Sequence, residues 1–178
     1  MDDYFDADNA GFPKGLIDRR EYNGNALTNH PDWGGHVAAR LAEDPIMGLA
    51  IETEYTAASR ELEISVDVEY LEDGTENDYL VVIITEDSIE GYQKDYSLSP
   101  SDIPDYQHRH VARGAVTNSV WGDQLSTSAI ASGDTFDKDY VFTLDQDWDP
   151  SHCYVVAYVI DGNTKEVWNV EEHEIEDN

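Results

Sequence analysis

Basic residues are scarce in this chain. Lys and Arg number 10 against 39 Asp and Glu, a formal charge of −29 over 178 residues. An excess of that size repels phosphate and anionic lipid. It excludes nucleic-acid binding by phosphate neutralisation and retention on a membrane by basic patches. Cysteine occurs once, at Cys153, which excludes an internal disulfide and a Cys-based metal cluster. No apolar run approaches the ~20 residues that a membrane-spanning helix requires, so direct membrane insertion is not expected. Met1–Asp8 is polar and acidic, without the basic and apolar regions of a secretory signal. Gly-x-Ser-x-Gly elbows and phosphate-cradling glycine motifs are also missing.

What remains is apolar enough to fold: 40% hydrophobic and 11% aromatic residues are too many for a disordered acidic tail. The length fits one domain with a smaller appendage. Only Lys14, Lys94, Lys138 and Lys165 carry ammonium groups. A surface poor in Lys and rich in Asp serves solubility, and it suits salty or calcium-rich extracellular water.

Two compositional regions divide the chain near Pro45. In residues 1–45, Gly11–Gly15 is a turn and Leu16–Tyr22 reads as one strand closed by Asn23-Gly24. Asn29-His30-Pro31-Asp32 marks a helix start, with Pro in the first turn and Asp at the positive end of the dipole. Trp33, Val37 and Leu41 then form a stripe expected to be buried, until Pro45 ends the helix. One strand and one helix enclose no core, so this segment is expected to pack on something else.

Residues 46–178 read as strand after strand. Leu49, Ile51, Thr53 and Tyr55 alternate with Ala50, Glu52 and Glu54. Leu62 to Tyr70 alternates with Glu61 to Glu69, and Phe136 to Leu144 alternates with Asp137 to Thr143. A period of two with charge on every other residue is a strand with one dry and one wet face. Tyr79–Thr85 and Cys153–Ile160 are apolar on both faces and are expected at the centre of a sheet. Gly91–Pro104 reads as a long irregular crossing, and His108–Thr117 as a further strand. Asp161-Gly162-Asn163 is a hairpin turn, followed by the return strand Lys165–Val170 and an acidic tail from Glu171. Seven strands without intervening helices predict a mostly β protein, an antiparallel immunoglobulin-like β-sandwich carrying a short N-terminal strand-helix segment.

Four stretches carry a resemblance. They are Gly11-Phe-Pro-Lys-Gly-Leu-Ile-Asp-Arg19; Glu86-Asp-Ser-Ile-Glu-Gly-Tyr-Gln93; Tyr106-Gln-His-Arg-His-Val-Ala-Arg113 with Ala115-Val-Thr117 and Trp121-Gly122; and Val155-Val-Ala-Tyr-Val-Ile160 with Lys165-Glu-Val-Trp168. Together they resemble the Bacteroidota outer membrane protein family first named for a 28-kDa member. The resemblance runs from about Gly11 to Glu172. It implies a thioredoxin-like domain followed by an immunoglobulin-like one, in exported proteins at the cell surface. Residues 1–45 would then be a remnant of the first domain and 46–178 the second, with Phe12-Pro13 in the context of a cis-proline. The first half of a thioredoxin-like domain and its Cys-x-x-Cys are absent. Either the chain is a piece of a longer protein, or the residual strand and helix dock on the sandwich or on a partner.

Candidate chemistry is thin. His108 and His110, two apart on a strand, would share a face and could ligate a transition metal with Tyr106 or a carboxylate; hydrogen bonding to surface carboxylates is the commoner outcome. Asp145, Asp147 and Asp149 alternate in a way that suits calcium, or simply make a solvated acidic turn. Asp6–Gly11 is a weaker oxygen-rich loop. Cys153 opens an apolar strand and reads as a small hydrophobe, not a nucleophile. Arg109 and Arg113 read as ion-pair partners, and the four Trp as anchors.

The expected function is therefore a non-catalytic exported or cell-surface module for assembly or adhesion. It would bind other proteins, with self-association as a second mode. The alternatives are a redox-accessory protein derived from a thioredoxin-like domain and an acidic nucleic-acid mimic.

Overall fold

The computed structural model describes residues 2–6, 9, 11 and 13–175, without the side chains of 2 and 3. The Phe12-Pro13 bond, three of the six residues of the Asp6–Gly11 loop and residues 176–178 lie outside the described residues, and Glu171–Glu174, expected as an acidic tail, form the end of the last strand. In chain order the elements are α1 (Asp2–Phe5), β1 (Lys14–Leu16), β2 (Leu27–Asn29), α2 (Trp33–Arg40), β3 (Met47–Thr56), β4 (Glu61–Tyr70), β5 (Asp78–Glu86), β6 (Ile89–Lys94), β7 (Asp102–His108), β8 (Val111–Ala115), β9 (Asp123–Gln124), β10 (Thr135–Thr143), β11 (Cys153–Asp161) and β12 (Val167–Glu174).

The seven expected strands form two antiparallel sheets, ordered β10-β4-β3 and β12-β11-β5-β8, with the short β9 also paired to β5. Their facing sides make one core. Ile51, Leu62, Ile64 and Val66 from one sheet meet Leu80, Val82, Val155 and Ala157 from the other. The alternation that predicted β3, β4 and β10 is therefore the alternation of inside and outside.

Strands β5 and β11 are central, as their two apolar faces require. Their second face carries its own cluster, Val81, Tyr158 and Ile160, with Tyr79, Trp121 and Val167 around it. The N-terminal segment lies there. Arg19 spans the Tyr158 and Trp121 rings, at 5.1 and 5.7 Å from their centroids, and donates to the Tyr158 hydroxyl at 2.9 Å. The Val167 amide donates to the Asp18 carbonyl at 2.8 Å. Arg40 pairs with Asp18 at 2.7 Å and Glu43 at 2.5 Å, and Arg20 reaches Glu166 at 3.1 Å.

Three local expectations are corrected. Leu16–Tyr22 is not one strand: it stops at Leu16, and positive φ angles at Asp18 and Arg19 swing the chain so that Arg19 meets the sheet. β1 pairs instead with β2. Second, the stripe on α2 is not core. Trp33 is half-buried against Gly15, but Val37 is 42% and Leu41 82% exposed. The helix is fastened by Trp33 and Arg40, not by an apolar face. Third, Gly91–Pro104 is no irregular crossing. β6 and β7 form a separate two-stranded hairpin around a tight turn in which Asp95 accepts from the Ser97 amide and hydroxyl.

One buried carboxylate locks an end of the sandwich. Asp78, 1% exposed, accepts from the Tyr70 hydroxyl at 2.8 Å and from the Thr75 amide and hydroxyl at 3.1 and 3.0 Å. Gly122 is required where β9 meets β5. Its φ is +86°, and a Cβ there would lie 2.3 Å from the Leu80 carbonyl oxygen.

The outer face of the three-stranded sheet is a ladder of like charges. Asp67 lies opposite Asp137, and Glu63 opposite Glu54. Partial desolvation, reinforced by Asp137, raises the Asp67 carboxyl above the usual range. Like charges directly opposite on a sheet are destabilising. A raised carboxylate contributes stability in acid and loses it as pH rises. Asp67→Asn should therefore raise the urea midpoint at neutral pH. The gain should shrink as pH falls through the carboxylate range, and also as salt is added.

Candidate functional site

The five candidate metal ligands are scattered. His108 closes β7, whereas His110 has φ +49° in the gap before β8, so the two do not sit at alternate positions of one strand. The His108 ring packs edge-on against Tyr106, 5.0 Å between centroids. His110 lies 3.3 Å from Asp87 and 3.2 Å from Glu172, and its ring stacks on Tyr154. That is the carboxylate pairing expected of a histidine on so acidic a surface. Asp145 accepts from the Asp147 amide at 3.0 Å. Asp149 accepts from the Ser151 hydroxyl and amide at 2.7 and 3.0 Å, and these bonds hold its carboxyl below the usual range. Among the described residues no group of three or more His, Cys, Asp or Glu is placed to hold a metal ion.

The acidic loop after β10 is organised by a cation from the protein itself. The Arg60 guanidinium donates to the carbonyls of Leu144, Asp145 and Trp148 at 3.3, 2.7 and 2.8 Å. Beneath the loop, Arg113 stacks on Trp148 at 5.2 Å and lies 3.2 Å from Glu86, which is 5% exposed and accepts from the Asp149 amide. Cys153 is fully buried next to this pair. Burial, with Glu86 and Asp149 nearby, pushes its thiol up to about 12, so almost none is thiolate at neutral pH.

The feature that the sequence reading missed is the β6-β7 hairpin. It joins neither sheet, and none of residues 88–108 is buried. Tyr92, Tyr96, Leu98 and Tyr106 are 58%, 85%, 51% and 42% exposed. An isolated hairpin is at best marginally stable in water, and this one adds surface side-chain contacts to its own backbone ladder. Tyr92 donates to Asp102, Lys94 pairs with Asp102 at 3.4 Å, and the Lys94 ammonium stands 5.5 Å over the Tyr96 ring. Three Tyr and three Ser within twenty residues were the available signal. Tyr supplies contact area at little entropic loss and Ser supplies adaptable hydrogen bonds, the pairing used in binding loops.

A recess opens where the N-terminal segment meets β12. It encloses about 440 Å³ between Leu41, Ile46, Trp168 and Val170, with the Arg20, Arg40 and Glu43 ion pairs along one side.

Removing the Arg60 side chain should cost about 2–3 kcal/mol, the scale of charge-assisted bonds to several carbonyls. Calorimetry checks this directly. Arg60→Ala should melt well below the parent, whereas millimolar calcium or EDTA should leave the parent melting temperature unchanged.

Comparison with known proteins places the chain. A domain of the outer membrane lipoprotein Omp28 from Porphyromonas gingivalis superposes with a TM-score of 0.51 at 21% identity, over 76% of this chain and 93% of that one. At that identity the likeness establishes a common fold. No curated protein matches the chain. No described helix is long and apolar enough to cross a membrane. Residues 1–178 match the sequence profile of the family described as outer membrane protein Omp28. The protein thus belongs to the Omp28 family, and its place is the outer membrane or its surface.

Proposed function

We propose that the protein is a non-catalytic surface module that works by holding other proteins, in envelope assembly or adhesion. The observation that carries this reading is the β6-β7 hairpin: an arm with three exposed tyrosines, standing off a sandwich whose own interior is filled. Exposed apolar groups on an arm that contributes nothing to a core are the signature of a contact surface. The reading also draws on the strand order, which for seven sandwich strands numbered in sequence runs 5-2-1 and 7-6-3-4: the immunoglobulin order, with the fourth strand moved from the first sheet to the second. In this reading residues 1–45, the relic of a thioredoxin-like domain, serve as a buttress for the outer face of the four-stranded sheet. The redox alternative would require the buried Cys153 thiol to ionise, and its surroundings oppose that.

Replacing Ile89–His108 by a short Gly-Ser link tests the proposal. The variant should keep the melting temperature of the parent within a few degrees. In co-sedimentation with outer-membrane vesicles of a Bacteroidota strain, the parent should bind saturably and the variant about tenfold more weakly, the scale of one or two contact hot spots. Equal binding by both proteins would refute a role for the arm. Turnover of a substrate that depends on a named side chain would refute the non-catalytic reading.

A further inference from the structure

The hairpin also indicates what kind of partner it takes, an inference that rests on the binding reading above. Between Ile89 and His108 there are four carboxylates, Glu90, Asp95, Asp102 and Asp105, and one cation, Lys94. That cation is already seated in the way a ligand would be. Its ammonium lies over the Tyr96 ring at 5.5 Å and beside the Asp102 carboxylate at 3.4 Å, and Tyr92 donates its hydroxyl to the same carboxylate. An aromatic face backed by a carboxylate attracts an ammonium or guanidinium more strongly than either group alone. The Tyr106 ring, 42% exposed on β7, offers a second aromatic face and touches the His108 ring edge-on. The whole molecule, at −29, steers cations toward itself and turns anions away.

We propose that the β6-β7 hairpin docks a basic polypeptide segment, taking its Lys or Arg side chains onto the exposed tyrosine rings with hairpin carboxylates as counter-ions. The acidic ladder on the three-stranded sheet contributes only long-range attraction. Tyrosine supplies the specific contact, so affinity depends on the rings at constant net charge.

A fluorescent alternating Lys-Gly peptide, read by anisotropy, separates these contributions. Tyr96→Ala and Tyr106→Ala together should weaken binding by about fivefold or more, with Tyr96→Phe close to the parent, since a phenyl face serves a cation nearly as well. Asp137→Asn, on the distant ladder, should change affinity less than about twofold. Because the altered rings are exposed, the variants should melt with the parent, which a circular dichroism scan verifies. The proposal fails if the ring variants bind as the parent does, or if Asp137→Asn weakens binding as much as they do. It fails equally if the rings matter for a neutral dextran but not for the peptide, which would make the arm a glycan platform. Vesicle binding that depends on the hairpin, alongside a peptide that does not, would refute the basic partner and leave the binding function intact.

Discussion

The fold depends on covering both faces of the four-stranded sheet. β5 and β11 are apolar on each side, and a sandwich of two sheets satisfies only one of them. The other face would present Tyr158, Ile160 and Val81 to water. It is closed by the Trp121 loop and by the N-terminal segment, which brings a guanidinium between two rings in place of a third layer of hydrophobes. This solution suits an acidic chain. Arg packs flat on aromatic surfaces while its edge still donates hydrogen bonds, and it tolerates partial burial better than an ammonium does.

The same economy runs through the structure. Five of the six arginines have fixed employment: Arg19 on Tyr158 and Trp121, Arg20 and Arg40 in the ion pairs that hold the N-terminal segment, Arg60 on the carbonyls after β10, and Arg113 between Glu86 and Trp148. Each joins parts of the chain that are distant in sequence. Carboxylates, by contrast, are abundant enough to be arrayed against one another on the outer sheet face, where repulsion is tolerated because water and salt screen it.

Much of this was legible beforehand, for physical reasons that differ by region. Strict alternation in β3, β4 and β10 announced a two-faced sheet because water selects charge at every second position. The double apolar faces of Tyr79–Thr85 and Cys153–Ile160 announced central strands. The N-terminal segment was harder. Its docking depends on tertiary contacts of Arg19 and Arg40, and spacing along the chain cannot show where a guanidinium ends up. The β6-β7 hairpin was obscured by composition, since Ser, Pro and Gly in 91–104 mark both a loop and the turn of a hairpin. The loop at Asp145–Asp149 looked like a cation site because three carboxylates alternate there. What the pattern could not reveal is that Arg60, eighty-five residues away from Asp145, donates to the backbone carbonyls of this loop. The outer-membrane family was visible in four short stretches, and the profile match extends over the full chain.

The arm leaves the sheet after β5 and re-enters it at β8, the adjacent strand, and no side chain between residues 88 and 108 reaches the interior. The insertion point is thus a socket. Different hairpins, longer or shorter, acidic or neutral, can be spliced there while the packing beneath stays as it is. Change in the arm is thereby uncoupled from change in the packing beneath it.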